Sequence, residues 1–154
     1  MRRYLVVFAA VVHLVLADAV AKELAAGYLK GASPLPVVPG FFDLAYVENR
    51  GCAWGMFQGQ VWPLAAFAAL ALAFLVWKRK SVFGDGRAAA AAEVLLYAGI
   101  VGNLVDRVFR GFVIDFLDFH WRAAYHFPCF NLADTFITVA AGLLILCSFG
   151  KRTS

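Results

Sequence analysis

The chain lacks the patterns that mark metalloproteins and nucleic-acid-binding proteins. Its 154 residues include only three cysteines, with no C-x-x-C pair and no metal-ligand spacing to the three histidines. We therefore expect no metal site, and we assign no cofactor. The net charge is +4, but no basic stripe with interleaved aromatic residues is present, so no nucleic-acid partner is expected. No repeat or low-complexity tract suggests more than one domain over residues 1–154.

Apolar residues are what the chain has in excess. They make up 63% of the sequence, and the mean hydropathy is +0.76; ordinary soluble domains contain about 45 to 50%. A membrane-spanning helix needs about 20 mostly apolar residues. Four stretches come close, at residues 4–26, 57–77, 88–105 and 130–149. The sequence therefore predicts a mainly α integral membrane protein with a bundle of four transmembrane helices.

Basic residues predict the orientation of these helices. More than half of them lie close to helix ends on one side of the membrane: Arg2, Arg3, Lys78, Arg79, Lys80, Arg87, Lys151 and Arg152. Cytoplasmic loops carry the Lys/Arg excess, so both termini are predicted to be cytoplasmic. The first 20 or so residues also resemble a signal peptide with an A-x-A cleavage site at residues 17–19. Because no ordinary soluble domain follows it, we expect this segment to remain as a helix.

The two external segments differ in composition. Residues 27–56 open with a Pro/Gly-rich stretch and continue with aromatic and β-branched residues at 41–47, which predicts a small extramembrane β-sheet. Residues 107–129 are rich in aromatic residues, which favour the headgroup boundary. We therefore expect an interfacial loop or helix there. Glu93, inside the third apolar stretch, has no partner that the sequence identifies.

Polar residues enter the apolar stretches at helical spacing and mostly at their external ends. Asp18 and Lys22 are four residues apart in the first stretch. Others cluster at the ends of the third and fourth stretches: Asn103, Asp106, Arg107, Asn131 and Asp134. A charge at the bilayer centre costs roughly 2.5 to 3.5 kcal/mol or more, so such residues are functional candidates. Their gathering at one depth predicts a site open to one face of the membrane.

Each of these pairs also has a purely structural interpretation. Asp18 and Lys22 could form an intrahelical ion pair worth a few tenths of a kcal/mol. Asn131 and Asp134 have the spacing of a helix N-cap followed by an acid at the third helical position. Asp106 and Arg107 could anchor a helix at the membrane boundary. Only the convergence of all three pairs favours a functional site.

Asp115 and Asp134 form the most informative pair. They stand in G-F-V-I-D-F (111–116) and F-N-L-A-D (130–134), beside apolar segments of membrane length. Two close carboxylates cannot both ionise cheaply, so they share a proton and can act as base and acid. We interpret them as a catalytic dyad. Asp134, near a predicted helix N-terminus, is expected to be the ionised member and Asp115 the acid.

Four sequence blocks and a spacing in the first helix carry a family resemblance. The blocks are N-R-G-C-A-W (49–54), G-I-V-G-N-L-V-D-R (99–107), V-I-D-F (113–116) and F-N-L-A-D (130–134), and the spacing is Asp18-x-x-x-Lys22. In this order they resemble bacterial lipoprotein signal peptidase (signal peptidase II), an aspartic membrane peptidase. The resemblance covers nearly the whole chain.

The resemblance implies an activity and a place for it. The expected activity is removal of the signal peptide from diacylglyceryl-modified prolipoproteins, by cleavage before the lipid-modified cysteine. The expected location is the bacterial inner membrane, with residues 27–56 and 107–129 periplasmic and the active site near that face. Expected partners are the prolipoprotein substrates, membrane lipids and globomycin-type peptide inhibitors.

The resemblance also implies roles for individual residues. Asp115 and Asp134 take the catalytic positions. The positions that bind substrate or support the site are Asp18, Lys22, Asn49, Gly51, Asn103, Asp106, Arg107 and Asn131. Two other classes remain open from the residues alone: a small ion or proton transport component, because membrane Asp, Arg and His can form relays, and a membrane scaffold whose polar residues only cap and anchor helices.

Overall fold

Helices and short strands alternate along the chain in the computed structural model, which describes residues 2–121 and 125–150. The helices are α1 (Arg2–Leu29), α2 (Val61–Trp77), α3 (Arg79–Val82), α4 (Arg87–Arg110) and α5 (Leu132–Gly150). The strands are β1 (Leu35–Val38), β2 (Phe42–Asn49), β3 (Val113–Trp121) and β4 (Tyr125–His126). Lys151 and Arg152 from the orientation argument lie outside the described residues, as does the side chain of Arg2.

Three helices of the described chain are long and apolar enough to cross a membrane: α1, α4 and α5. The helix α2 is also apolar but shorter, with 17 residues. The chain is therefore a multi-pass membrane protein. The predicted stretch 57–77 begins too early, because Phe57 and Gly59 have positive φ angles of 56° and 79° that interrupt a helix before Val61.

The helix α4 lies at the centre and packs against α1, α2 and α5. Its contact with α5 is close because α4 presents glycines there. A Cβ atom at Gly99 would lie 2.4 Å from the carbonyl oxygen of Ala133, and one at Gly102 would lie 2.8 Å from Asp18 Oδ2. Small residues let membrane helices approach closely, and that approach brings polar side chains of three helices together.

The strands form one antiparallel sheet in the order β1-β2-β3-β4, so the predicted small β-sheet is present. The expected interfacial loop or helix over residues 107–129 is wrong, because Val113–Trp121 is the strand β3 and pairs with β2. Aromatic residues suit both the membrane boundary and a strand. Here they serve the sheet: Phe42 stacks on Phe119 with ring centroids 4.5 Å apart.

The sheet rests on the end of α1. Ala25 of α1 forms a buried cluster with Ile114 and Phe116 of β3. This packing orients one face of β3 toward the helices. Asp115 points away from that cluster, since successive side chains of a strand alternate between faces.

Candidate active site

Lys22 is the centre of a buried charge cluster where α1 meets α4. Only 1% of its surface is exposed. Its Nζ lies 2.7 Å from Asp18 Oδ2 and 2.9 Å from Asp106 Oδ2, and it donates to Asn103 Oδ1 at 3.1 Å. The ammonium group thus uses all three donors, which compensates much of the cost of burying it.

The two acids of this cluster, Asp18 and Asp106, also accept hydrogen bonds from groups other than Lys22. Asp18 Oδ1 accepts the backbone N–H of Ala133 at 2.9 Å, which ties α1 to the first turn of α5. Asp106 accepts from Arg110 Nε at 2.9 Å, four residues along α4. Asp106 and Arg107, whose structural interpretation was a helix anchor at the membrane boundary, do not pair with each other; Asp106 pairs with Lys22 and Arg110.

Asn103 links the charge cluster to the first of the two candidate catalytic carboxylates. Its Oδ1 accepts from Lys22, and its Nδ2 donates to Asp134 Oδ1 at 2.7 Å. An amide that accepts from a cation and donates to a carboxylate is polarised in the direction that strengthens both hydrogen bonds. Asn103 therefore sets the orientation of Asp134.

Asn131 and Asp134 form a reciprocal cap at the start of α5. Asn131 Oδ1 accepts the backbone N–H of Asp134 at 2.9 Å, and Asp134 Oδ2 accepts the backbone N–H of Asn131 at 3.3 Å. This is the arrangement of a capping box, with an acid in the first helical turn. The helix-capping interpretation of Asn131 and Asp134 is confirmed. The same two residues also make contacts that capping does not require.

Asn131 also reaches the second carboxylate. Its Nδ2 donates to Asp115 Oδ1 at 2.7 Å, and Asn49 Nδ2 donates to Asp115 Oδ2 at 2.9 Å. One residue, Asn131, thus contacts both Asp115 and Asp134, one through its side chain and the other through its backbone. The two aspartates come from the strand β3 and the helix α5, yet a single asparagine joins them.

A loop after β2 completes the site. Asn49 Oδ1 accepts the backbone N–H of Gly51 at 2.9 Å, and Arg107 Nη2 donates to the carbonyl oxygen of Gly51 at 3.0 Å. Gly51 must be glycine, because a Cβ atom would lie 2.5 Å from the carbonyl oxygen of Met56. The loop and α4 are therefore joined by Arg107, which also donates to the Asn103 carbonyl oxygen at 3.2 Å.

Both aspartates face a cavity of about 460 Å³. The polar lining consists of the two carboxylates with Asn49, Asn103 and Arg107. The rest of the wall is apolar or weakly polar: Cys52, Ala53, Trp54, Val113, Phe127, Pro128, Cys129, Phe130, Thr135, Ile137, Thr138 and Val139. Two of these wall residues, Trp54 and Phe127, contact each other edge to face with ring centroids 5.6 Å apart. The cavity thus combines a few convergent polar groups with an apolar lining, as ligand sites do.

The electrostatic environment favours a protonated Asp115. Burial, and then the nearby charge of Asp134, raise the pKa of Asp115 to about 7. The amides of Asn49 and Asn131 oppose this rise by donating to the carboxylate. A carboxyl group with such a pKa is a competent proton donor near neutral pH.

The structure brings all ten sequence-predicted site residues into one connected set. Asp115, Asp134, Asn49, Asn103, Arg107 and Asn131 lie at or next to the cavity, and Asp18, Lys22 and Asp106 form the buried charge cluster behind it. Gly51 lies in the adjoining loop. The sequence argument missed Gly102, which makes room for Asp18, and Arg110, which pairs with Asp106. A G-x-x-G spacing before Asn103 and an i, i+4 Asp-Arg spacing are the signals that mark them.

Membrane helices, a small sheet and two carboxylates facing one apolar cavity are the features of a membrane-embedded aspartic peptidase. Comparison with known proteins specifies the family. A family model described as Signal peptidase (SPase) II matches residues 10–150. The chain belongs to the signal peptidase II family, and the resemblance drawn from its sequence blocks is confirmed.

Relatives and a solved structure agree with this assignment. The lipoprotein signal peptidase of Syntrophotalea carbinolica is 41% identical over 86% of this chain and 84% of that protein. That of Symbiobacterium thermophilum is 42% identical over 86% of each chain. A solved structure described as a bacterial membrane enzyme is similar with a TM-score of 0.81 and 31% identity, over 97% of this chain and 90% of that one.

Proposed function

We propose that this protein removes signal peptides from diacylglyceryl-modified prolipoproteins by cleaving before the lipid-modified cysteine, with Asp115 and Asp134 as its catalytic pair. The observation that carries the proposal is the hydrogen bonding of Asn131 to both aspartates, at 2.7 Å and 3.3 Å, at the wall of an apolar cavity. Membership of the signal peptidase II family supports the same activity.

The chemistry follows from the two carboxyl groups. Asp134, ionised at the N-terminus of α5, takes a proton from a water molecule as its oxygen attacks the scissile carbonyl carbon. Asp115 donates its proton to the carbonyl oxygen, giving a neutral tetrahedral intermediate. On collapse, the proton returns from that oxygen to Asp115, and the proton held by Asp134 passes to the leaving amine. Neither residue forms a covalent bond to the substrate.

The other polar residues position this pair. Asn103 orients Asp134, and Asn49 and Asn131 orient Asp115. Arg107 fixes the loop at Gly51 through its carbonyl oxygen. Its guanidinium also interacts electrostatically with both Asp134 and Asp115, although it forms no ion pair with either. Lys22 and Arg110 together neutralise Asp18 and Asp106, so the helices can pack without leaving a buried net negative charge behind the site. The apolar walls are suited to the acyl chains of the substrate.

We propose that α2 is a fourth span, although its 17 apolar residues are fewer than the 20 or so of an average span. Four spans put both termini on one side, and the basic residues Lys78, Lys80 and Arg87 favour the cytoplasm for that side. The sheet and the dyad are then periplasmic on an inner-membrane protein. A globomycin-type peptide inhibitor would occupy the same cavity.

The transport alternative finds no support among the described residues. A relay needs polar groups across the membrane, but between Glu93 and Asn103 the buried residues of α4 are Tyr97, Ala98, Gly99 and Gly102. Ten residues of helix span about 15 Å. The Tyr97 hydroxyl is committed to the Leu75 carbonyl oxygen at 3.3 Å. Polar groups therefore lie at both ends of α4, and among the described residues of this helix no chain of buried polar groups joins the two ends.

The test is cleavage of a synthetic lipopeptide that carries a diacylglyceryl cysteine between a fluorophore and a quencher. Asp115→Asn and Asp134→Asn should each lower kcat/KM at least about 100-fold, because each removes a general acid or base. Asp118→Asn is the matched control: it lies in the same strand on the opposite face, outside the cavity, and should retain full activity. The same peptide without its lipid should not be cleaved.

Thermal unfolding in detergent must show that the variants are folded. If a folded Asp115→Asn or Asp134→Asn protein cleaves the lipopeptide at more than a tenth of the wild-type rate, the dyad assignment is wrong. If the wild-type protein cleaves the peptide with and without lipid equally well, the proposed substrate class is wrong even though the dyad stands.

A further inference from the structure

A second cleft lies at the end of the helices opposite to the aspartates. It has a volume of about 760 Å³ and runs between α1 and α2, with α4 as its floor. Both α1 and α2 pack on α4 but make few contacts with each other, so the cleft is open along its length. Side chains at its edge are uncovered: Tyr4 is 58% exposed and Phe8 is 69% exposed.

The cleft is apolar along its length and basic at one end. Its walls are aliphatic and aromatic, including Val7, Val11, Val15, Leu72 and Val76. At the end where α2 gives way to α3, it is lined by Lys78, Arg79, Lys80 and Ser81. An apolar trough with cationic and hydroxyl groups at its mouth matches a molecule that has apolar chains and an anionic head.

The charges at this mouth are not cancelled within the described chain. Glu93 is the carboxylate of the cleft, and it is occupied by Arg79, which contacts both of its oxygens, with Arg3 4.0 Å away. Lys78 and Lys80 form no ion pair among the described residues; Lys78 Nζ lies 4.1 Å from the centroid of the Trp77 ring. Two exposed cations are therefore left to attract an anion, and Trp77 has the amphipathic character of a headgroup-level residue.

We propose that this cleft binds an anionic phospholipid, with its acyl chains between α1 and α2 and its phosphate at Lys78, Lys80 and Ser81. Basic pockets between membrane helices bind lipid head groups in this way, and the chains gain burial that the exposed walls of the cleft otherwise lack. An apolar peptide with a basic end is disfavoured, because its cations would meet those of the cleft. The inference rests only on membrane embedding and is independent of the proposed peptidase activity.

The experiment measures lipid binding to purified, delipidated protein by native mass spectrometry. Phosphatidylglycerol and phosphatidylcholine with the same acyl chains are titrated in parallel. Phosphatidylglycerol should bind the wild-type protein at least tenfold more tightly. The double variant Lys78→Gln/Lys80→Gln should bind it about 10- to 30-fold more weakly, since each lysine near the headgroup contributes separately to the attraction.

Two further variants locate the site. Arg87→Gln removes an exposed cation at the same end of the molecule but outside the cleft, and should leave phosphatidylglycerol binding within about twofold. Val12→Trp places an indole in the cleft from its exposed edge, and should reduce binding of both lipids.

Three results would each overturn the proposal. The first is equal binding of the two lipids, which would mean that head-group charge is not recognised. The second is an equal loss for Arg87→Gln and the double lysine variant, which would mean diffuse surface attraction. The third is full phosphatidylglycerol binding by Val12→Trp, which would place the lipid elsewhere. Peptidase activity does not enter any of these readouts, so a failure here leaves the proposed function untouched.

Discussion

The two ends of α4 both bury carboxylates, but they treat the charge in different ways. At one end Glu93 is 1% exposed and is held by Arg79 through both oxygens. The other end holds the ion-paired Lys22 cluster and, in front of it, the buried Asp115 and the half-buried Asp134. These two aspartates form no ion pair within the described part of the chain and are held by amide donors from Asn49, Asn103 and Asn131. A buried carboxylate that has hydrogen bonds but no counter-ion is harder to ionise than one that is paired with a cation.

This difference distinguishes carboxylates that hold helices together through ion pairs from carboxylates that are available for proton transfer. Glu93 and Arg79 neutralise one another and join α4 to the segment after α2. Burial and the nearby charge of Asp134 raise the pKa of Asp115 to about 7, and this is the property an acid catalyst needs. Buried charge alone is therefore a poor marker of a site, and buried charge without a direct counter-ion is a better one.

The largest effect expected is that of Lys22→Met on stability. This change leaves Asp18 and Asp106 buried without their shared cation, so the free energy of unfolding should fall by about 3 to 5 kcal/mol. The measurement is thermal unfolding of the purified protein in detergent. Lys30→Met is the control: its pair with Glu48 is on the surface at 3.4 Å and is screened by water, so its loss should leave the melting temperature almost unchanged. Equal melting temperatures for the two variants would contradict the role given to Lys22.

A smaller effect is expected where α4 meets α5 at the site end. Gly102→Ala places a Cβ atom 2.8 Å from Asp18 Oδ2 and 3.2 Å from Ala133 Cβ. The helices must move apart, which should cost about 1 to 3 kcal/mol. Gly142→Ala, in α5 with no atom within 4 Å of the added Cβ, should be neutral or stabilising by up to about 1 kcal/mol. The glycine contact is unimportant if both variants melt alike.

The pH dependence of cleavage tests whether Asp115 acts as the acid. Asp115 must be protonated to act as the acid, and its pKa is about 7. The rate constant kcat/KM should therefore fall as pH rises through about 7, approaching tenfold per pH unit above it. The measurement uses a lipopeptide without groups that titrate between pH 5 and 9. A flat profile over that range would rule out Asp115 as the acid.

The free energy of unfolding should also depend on pH because of Asp115, and the direction of that dependence can be stated. The pKa of Asp115 is raised from 3.8 to about 7 on folding, so the folded protein holds a proton that the unfolded chain loses between those values. The free energy of unfolding should therefore decrease as pH rises from about 4 to 7. Asp115→Asn should show a shallower decrease over this window, while Asp118→Asn should follow the wild-type protein.

The smallest effect is expected at the other end of α4. Glu93→Gln removes one carboxylate but leaves Arg79 and Arg3, whose side chains are 15% and 44% exposed and reach water. The cost should be about 1 kcal/mol, because the cations left behind are not stranded in the interior. The measurement is thermal unfolding of Glu93→Gln and Lys22→Met under the same conditions. The contrast between the two ends is lost if both variants are destabilised equally.

Local spacing predicted much of the site. Asp18 and Lys22 pair at i, i+4, and Asn131 caps the helix that begins with Asp134, as the sequence indicates. Such contacts lie within one turn of helix, so periodicity alone places them. The catalytic roles of Asp115 and Asp134 remain a prediction, while their convergence on Asn131 is a property of the fold.

Contacts between distant segments could not be predicted in this way. The aromatic residues of β3 predict an interfacial segment, because such residues favour both the membrane boundary and a strand, and only the pairing of β3 with β2 distinguishes the two. Arg79, fourteen residues before Glu93, becomes its partner because α2 and α4 are antiparallel neighbours. Asp106 pairs with Lys22 of α1 rather than with adjacent Arg107, since neighbouring residues on a helix face different directions.

The sequence by itself determined that this chain lies in a membrane, that its helices begin and end near particular polar residues, and which family it belongs to, because hydropathy, helical spacing and ordered motifs are properties of the chain read in order. Only the tertiary structure decided which carboxylates meet, which are neutralised and which are left without a counter-ion. The reason is physical: the cost of a buried charge depends on partners supplied by other helices and strands, and those partners are chosen by packing.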